Sequence, residues 1–166
     1  MSAMLQPGVA ALRRRAMTVA DIEAVLAIEN IAYEFPWTRG NFVDSLAAGY
    51  AAHLLCAGDG SLTAYCIAMR GVQETHLLNL TEAPAWQHRG LGRAMLDVLV
   101  AESCAESAQF IWLEVRESNQ RARNIYRRYG FDAVGWRRAY YPAAAGQRED
   151  ACVMRLGLGG AGDALE

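Results

Sequence analysis

Two glycines, Gly90 and Gly92, stand where an apolar, strand-like run ends and a helical pattern begins. Glycines at alternate positions let the backbone approach an anion without a Cβ in the way. The following helix offers unpaired N–H groups and the positive end of its dipole. The segment from Gln87 to Ala94 is therefore interpreted as a phosphate-binding turn. Glycines that only turn the chain give the same pattern, so the surrounding sequence must decide.

Two common phosphate-binding motifs do not match this segment. A Rossmann turn requires a third small residue where Met95 stands. A P-loop ends in Gly-Lys-Ser/Thr, and the chain contains no lysine. Residues 87–92 instead fit the pattern Gln/Arg-x-x-Gly-x-Gly/Ala, which resembles the pyrophosphate-binding signature of the GNAT acetyltransferases. The resemblance implies acetyl-coenzyme A as a co-substrate.

Size and charge limit the other function classes. A chain of 166 residues is long enough for one well-buried core and short for two. No apolar run approaches the roughly 18 residues of a membrane span. The formal net charge of -2 gives no general electrostatic footprint for nucleic acid. We therefore expect a single domain with neither a membrane segment nor a direct nucleic-acid partner. The sequence does not give the oligomeric state, for which a monomer is our working expectation.

The four cysteines have no metal-binding spacing and no histidine pair nearby; they are Cys56, Cys66, Cys104 and Cys152. Cys56 and Cys66 lie in apolar, strand-like runs, which favours packing over nucleophilic catalysis. All four are interpreted as reduced, buried thiols. This predicts a cytoplasmic protein without a metal site.

Periodicity along the chain predicts an α/β protein. Strands are expected at residues 14–17, 52–57, 62–69, 75–81, 110–115, 131–136 and 151–156, and helices after Thr18, after Thr38, at 91–105 and at 119–129. Val25, Ile28 and Ala32 form the apolar stripe of the first helix. A loop through residues 140–142 joins the last two strands. An extension at 1–13, one acetyltransferase domain at 14–156 and a glycine-rich tail at 157–166 complete the prediction.

Glu114 is the first candidate for proton transfer. Strand alternation places it on the face that holds Phe110 and Trp112, among aromatic side chains. Partial removal from water makes a carboxylate a stronger base. The structural alternative is a glutamate at a strand end that pairs with an arginine such as Arg116.

Asn119 and Tyr126 lie seven residues apart, two helical turns along one face and separated by about 10 Å. Such a helix can touch an elongated ligand twice. Asn119 could bond an amide of a pantetheine arm, and Tyr126 could donate a proton to a departing thiolate. The alternatives are a helix N-cap for Asn119 and ordinary core packing for Tyr126.

Residues 112–119 (WLEVRESN) and 125–131 (IYRRYGF) closely resemble one GNAT subfamily, the ribosomal-protein-alanine N-acetyltransferases. Residues 35–38, 137–142 and 148–151 also resemble it, so the similarity runs from about 17 to 156. The resemblance implies a GNAT fold, with a mixed, mostly antiparallel, twisted sheet of six or seven strands flanked by four helices. It further implies a protein N-terminus as acceptor, namely the N-terminal alanine of the eighteenth small-subunit ribosomal protein.

The same resemblance implies a role for each matching residue. Glu114 matches the proton acceptor, Tyr126 the proton donor and Asn119 a contact of acetyl-coenzyme A. The phosphate loop matches His88, Arg89, Gly90, Leu91, Gly92 and Arg93, and the strand end that pairs with pantetheine matches Leu80, Thr81 and Glu82.

The strand end departs from the family pattern, because Thr81 and Glu82 stand where small or apolar residues are usual. Other GNAT branches place their base on this strand, so Glu82 is the second candidate base. His88 is expected to face solvent or phosphate. The arginines of the helix at 119–129 are interpreted as a solvated face, with Arg123 on the Asn119 side and within possible reach of a phosphate.

The expected mechanism is direct acetyl transfer in a ternary complex. At pH 7 an α-amine with a reference pKa near 8 is about one-tenth neutral, whereas a lysine near 10.4 is neutral in fewer than about one molecule in a thousand. A weak base such as Glu114 therefore suits an N-terminal amine better. Two other functions remain open, a broader N-terminal or small-amine acetyltransferase and a non-catalytic acyl-coenzyme A binding module.

Overall fold

The structure is a computed structural model, and it describes residues 11–159. Most of the predicted extension at 1–13 and of the predicted tail at 157–166 lies outside these residues. The described part holds seven strands, namely β1 (Arg13–Ala16), β2 (Ala51–Cys56), β3 (Leu62–Arg70), β4 (Glu74–Glu82), β5 (Phe110–Arg116), β6 (Asp132–Pro142) and β7 (Arg148–Gly157). It also holds four α-helices, namely α1 (Ile22–Ala32), α2 (Arg39–Ala47), α3 (Leu91–Ala105) and α4 (Gln120–Tyr129).

The strands form one mixed sheet in the order β1-β2-β3-β4-β5-β7-β6. β4 and β5 pair in parallel, whereas β1–β2, β5–β7 and β6–β7 are antiparallel. This arrangement confirms the predicted mixed sheet and its four flanking helices. The chain divides into two compact units. The first holds residues 11–67 and Asn79–Met95, and the second holds Ala68–Leu78 and the described residues from Leu96 onwards. The domain boundaries at 14 and 156 stay a prediction.

In the first unit, the predicted caps set where the helices begin. The Asp21 carboxylate accepts the Thr18 N–H at 2.8 Å, and a short 3₁₀ turn then leads into α1. Thr38 Oγ1 accepts the Asn41 N–H at 3.2 Å and opens α2 after the break at Pro36. These starts agree with the sequence.

The buried face of α1 differs from the predicted stripe. Ile22, Val25 and Glu29 are buried, while Ile28 and Ala32 are only half-buried. Glu29 is therefore buried on the side of α1 where the apolar periodicity predicted Ile28 and Ala32. This shift is explained by polar partners that Glu29 finds far along the chain, as described below.

In the second unit, β5 alternates as predicted. Ile111, Leu113 and Val115 are buried on one face, and Phe110, Trp112 and Glu114 share the other. α4 ends at Gly130, whose φ of +125° lies in the region that favours glycine.

Two predictions are wrong here. Residues 140–142 do not form a loop, because Tyr141 and Pro142 pair with Glu149 and Arg148 of β7. A register shift between Arg137 and Tyr141, with Ala139 at φ +50°, lets β6 continue past an irregularity. Cys104 is exposed, whereas the other three cysteines are buried as expected, because its position on α3 faces away from the packed side.

Candidate active site

The end of β4, in the first unit, supplies three predicted site residues. Thr81 and Glu82 are buried and Leu80 is half-buried. Thr81 Oγ1 lies 2.7 Å from the Tyr33 hydroxyl and donates to Asn79 Oδ1 at 2.7 Å. The Thr81 side chain is thereby turned into a hydrogen-bond network, which explains how a polar residue is accommodated at this strand end.

The predicted phosphate loop follows in the same unit. A 3₁₀ turn at Pro84–Trp86 ends β4, and the Arg89 guanidinium lies 4.6 Å from the centroid of the Trp86 ring. His88 and Gly90 adopt φ of +63° and +77°, so the backbone reverses sharply before α3 begins at Leu91. The Gly90 carbonyl accepts the Ala94 N–H at 3.1 Å, which makes Gly90 the residue from which the helix starts.

The loop has the geometry of an anion site. His88, Arg89, Gly90 and Arg93 are exposed, whereas Leu91 and Gly92 are buried and anchor the first turn of α3. A Cβ placed on Gly90 would meet no atom within 4 Å. The space beside this backbone is therefore open, and the first N–H groups of an α-helix have no acceptor within the helix itself. Two arginines add positive charge beside them.

A cluster that the sequence interpretation missed lies in the same unit; we call Glu29, Trp37, Tyr65 and Asn79 the Glu29 cluster. The Glu29 carboxylate accepts hydrogen bonds from the Tyr65 hydroxyl, from the backbone N–H of Trp37 at 3.0 Å and from the side-chain amide of Asn79 at 3.3 Å. Burial, and then the Glu29 charge, raise the pKa of Tyr65. The one available signal was a glutamate four residues after Val25, on the buried face of α1.

In the second unit, the Glu114 carboxylate is held from two sides. His76 Nε2 of β4 lies 2.6 Å from Oε2, and Arg137 Nε of β6 forms an ion pair with Oε1 at 2.9 Å. The Glu114 side chain is only 6% exposed and that of His76 12%, whereas Arg137 is 48% exposed. The carboxylate is thus nearly removed from water but has a polar partner on each oxygen.

Phe110 and Trp112 share the strand face of Glu114, as predicted, and one of them holds its partner His76. The His76 ring stacks on Trp112 with centroids 3.6 Å apart and an interplanar angle of 13°. Trp112 Nε1 donates to Glu74 Oε2 at 3.1 Å, so the indole is fixed at its polar edge. The pKa of Tyr140 is raised by burial and then by the Glu114 charge, with Arg137 opposing the shift.

The structural alternative for Glu114, a pair with an arginine, is met by Arg137 rather than by Arg116. Arg116 donates to the Pro142 carbonyl at 2.7 Å and to Glu149 at 3.1 Å. The cation at Glu114 is Arg137, which the sequence assigned no role, and His76 was likewise missed. Neither could be found from local spacing, because they lie 23 and 38 residues from Glu114.

Both structural alternatives on α4 describe real contacts. Asn119 Oδ1 accepts the Ala122 N–H at 3.1 Å and caps the helix. Tyr126 is buried, and its ring meets Phe131 edge-on at 5.6 Å. Arg123 donates from Nη1 to the Glu117 carbonyl at 3.0 Å and lies 5.7 Å from the Trp136 ring. The remaining arginines of α4 are exposed, as the predicted solvated face requires.

The predicted site residues therefore fall into two groups. Leu80–Glu82 and His88–Arg93 belong to the first unit, and Glu114, Asn119 and Tyr126 to the second. Among residues 11–159, no group of three or more histidine, cysteine, aspartate or glutamate side chains could hold a metal ion. No helix within the same range is long and apolar enough to cross a membrane.

Known proteins resemble this chain over most of its length. The [ribosomal protein bS18]-alanine N-acetyltransferase of Escherichia coli strain K12 is 36% identical over 140 residues, which cover 84% of this chain and 93% of that protein. The protein of the same name from Haemophilus ducreyi is 33% identical over 138 residues, covering 83% and 94%.

A solved structure supports the same relationship. The crystal structure of the ribosomal-protein-S18-alanine N-acetyltransferase from Escherichia coli superposes with a TM-score of 0.83 and 34% identity, covering 93% of this chain and 99% of that one. This likeness confirms the expected fold class. The model of the acetyltransferase (GNAT) family matches residues 22–131. The chain therefore belongs to the GNAT family of acetyltransferases.

Proposed function

We propose that this enzyme transfers an acetyl group from acetyl-coenzyme A to the N-terminal alanine of ribosomal protein bS18. The acceptor is suggested by relatives in two genera that bear this activity in their names and align over more than four-fifths of the chain. The observation that carries the proposal within the chain is the open turn at Gly90, set at the start of α3.

The loop from His88 to Arg93 is proposed to hold the pyrophosphate of acetyl-coenzyme A. A turn with φ of +77° at Gly90 and no atom within 4 Å of a Cβ there suits close approach of an anion. The N–H groups of the first turn of α3 and the exposed Arg89 and Arg93 supply hydrogen bonds and positive charge. These residues fit the ligand that the resemblance implied.

The pantetheine arm is assigned to the backbone of residues 80–82 and to Asn119. A strand end can pair its N–H and C=O groups with the amides of an extended ligand. Asn119 uses Oδ1 to cap α4, and its NH₂ group is a separate donor that suits an amide carbonyl. Capping and cofactor contact are therefore compatible in one side chain.

Proton transfer is assigned to Glu114 and Tyr126. Glu114 takes a proton from the attacking amine as its nitrogen bonds the acetyl carbon, and the carbon–sulfur bond then breaks. Tyr126 donates its hydroxyl proton to the departing thiolate and is reprotonated from solvent. Backbone N–H groups at the end of β4 polarise the thioester carbonyl, which is worth about 3 kcal/mol for comparable oxyanion donors.

Glu82 remains the second candidate base. It is buried at the end of β4, as a base shielded from water must be. We rank Glu114 first because it matches the proton acceptor that the resemblance implied and lies on a strand face with Phe110 and Trp112. A paired substitution, described in the Discussion, separates the two.

The proposal extends to the setting of the enzyme. We propose that residues 14–156 form the acetyltransferase domain and that the protein acts as a cytoplasmic monomer. Analytical ultracentrifugation at the concentration used for activity tests the oligomeric state. A stable dimer under those conditions would contradict the monomer.

The decisive experiment uses intact mass spectrometry and acetyl-coenzyme A with a panel of peptides that vary the first residues. Peptides that begin with the bS18 sequence should gain a single acetyl group at the α-amine. A control peptide with a blocked α-amine and a free lysine should remain unmodified. Preference for lysine would contradict N-terminal transfer, and tight binding of acetyl-coenzyme A without turnover on any amine would indicate a non-catalytic binding module.

A further inference from the structure

His76 is the nearest titratable side chain to Glu114, and the proposed mechanism does not use it. His76 lies in β4 directly opposite Trp112 of the parallel strand β5, and Glu114 follows Trp112 by two residues. Its Nε2 is 2.6 Å from Glu114 Oε2, and both side chains are nearly buried. A close contact between two ionisable groups that little water can reach needs a physical reason.

The surroundings fix this contact tightly. Stacking on Trp112 fixes the plane of the His76 imidazole, and the hydrogen bond from Trp112 to Glu74 fixes the orientation of the indole. Arg137 holds the other carboxylate oxygen. The glutamate side chain is therefore confined to one orientation before a substrate binds, which lowers the entropy that the reaction must lose.

Charged and titratable groups of the neighbouring strands lie around Glu114 and His76. Arg137 and Tyr140 approach from β6, and Glu74 reaches them from β4 through Trp112. In β7, Arg155 pairs with Trp112 and places its guanidinium 4.5 Å from the Phe110 ring. Histidine is the side chain that exchanges a proton in the neutral range, whereas arginine stays charged there. Tyr140 stays neutral in that range because its pKa is raised.

We propose that His76 is a positioning residue that holds Glu114 through a hydrogen bond as that carboxylate takes up the amine proton. The inference rests on the proposed function, in which Glu114 is the proton acceptor. The Nε2–H proton of His76 already lies in the 2.6 Å contact with Glu114 Oε2, so the amine proton is the second proton of the pair. Glu114 takes it up while the carbon–nitrogen bond forms, and His76 continues to donate Nε2–H to the carboxyl group. The amine proton leaves to solvent after the product departs. The pair, rather than the carboxylate alone, then sets how the chemical step depends on pH.

Two substitutions separate the hydrogen bond from the packing. His76→Gln keeps a polar side chain of similar length but cannot titrate, and His76→Phe keeps a ring over Trp112 but removes the bond. His53→Gln is the matched control, since His53 is also buried in a strand, pairs with Arg14 at 3.2 Å and has no role in the proposed mechanism.

The measurement is kcat from about pH 5.5 to about pH 9 with acetyl-coenzyme A and the alanine-first peptide. His76→Gln should lower kcat on the order of tenfold and move its acidic limb to lower pH, with the KM for acetyl-coenzyme A unchanged. His76→Phe should lose at least as much activity, and His53→Gln should match the wild type.

A His76→Gln enzyme with the wild-type kcat, or with a uniformly lower kcat and an unmoved acidic limb, would overturn the proposal. NMR of the imidazoles at a fixed pH provides a readout that needs no turnover and no His76 variant. The His76 imidazole nitrogen shifts should differ between Glu114→Gln and the wild type, because the partner of Nε2 changes from a carboxylate to an amide, and unchanged shifts would also overturn the proposal. If the wild type acetylates no α-amine, the proposed function fails instead.

Discussion

Glu114 and Glu82 are both nearly buried carboxylates, but they have different surroundings. Glu114 has a partner on each oxygen and an aromatic strand face, whereas Glu82 is the last residue of β4, before the 3₁₀ turn that leads to the loop. We predict that Glu114→Gln lowers kcat by roughly a hundredfold or more, because glutamine keeps the shape and loses the base. Glu82→Gln should change kcat much less.

Steady-state kinetics and calorimetric binding of acetyl-coenzyme A measure both variants. Each should retain wild-type affinity for acetyl-coenzyme A, so that the loss in Glu114→Gln is confined to chemistry. If Glu82→Gln is the impaired variant and Glu114→Gln is nearly normal, the base is on β4 and our assignment is wrong.

Tyr126 offers a single atom to test, because its ring is packed against Phe131 and only the hydroxyl can act chemically. Tyr126→Phe should preserve the fold and slow single-turnover acetyl transfer by one to three orders of magnitude, roughly the range for loss of a positioned donor. Tyr129→Phe is the matched control, since it removes a hydroxyl from the same helix, where it donates to Asp97 at 2.7 Å. If Tyr126→Phe transferred acetyl at the wild-type single-turnover rate, as we expect of Tyr129→Phe, Tyr126 would be a core residue only.

At the scale of elements, the turn before α3 can be tested against a second turn whose glycine also has a positive φ. Gly90 and Gly60 have φ of +77° and +89°, and an added Cβ meets no atom within 4 Å at either position. Alanine at each should cost about 1 kcal/mol of folding free energy, because an L-residue is strained there. Only Gly90→Ala should weaken binding of acetyl-coenzyme A, by about tenfold or more, since its Cβ enters the phosphate space.

Calorimetric titration and thermal unfolding of the two variants separate binding from stability. The Gly60 turn joins β2 and β3, away from the loop in sequence, and controls for backbone strain alone. Unchanged affinity in a folded Gly90→Ala protein would remove the phosphate-loop assignment.

Elements with local signals were predicted well from the sequence. Periodicity and the glycine pair predicted the observed bounds of α3, Leu91–Ala105. Thr38 marked the start of α2 because its side chain caps the N–H of a residue only three positions later. The end of β6 was missed because the strand continues past an irregularity near Ala139. The tyrosines and the proline that follow give no sequence signal of this continuation. Glu29 was missed because the side chains that bind it, those of Tyr65 and Asn79, lie 36 and 50 residues away. His76 was missed because Glu114 lies 38 residues away.

At the scale of the whole molecule, stability depends on pH through carboxylates whose pKa differs between folded and unfolded chains. The Arg15 hydrogen bonds hold the pKa of Asp21 at about 2, below its ordinary 3.8. Ser118 and then Arg116 lower the pKa of Glu149. Because these folded pKa values are depressed, the groups stabilise the protein above their unfolded pKa and stop doing so as pH falls through the folded values.

We therefore predict that the Arg15–Asp21 coupling is present at neutral pH and disappears between about pH 4 and pH 2. The pair is bidentate, at 2.7 and 2.8 Å, but Arg15 is half exposed, so solvent screening limits the coupling to about 1 kcal/mol. Denaturant unfolding of the wild type, Arg15→Gln, Asp21→Asn and the double variant gives this energy as a double-mutant cycle. Added salt should weaken it at neutral pH. A coupling that persists undiminished at pH 2, or is absent at pH 7, would show that the cap before α1 does not contribute to the acid sensitivity of the fold.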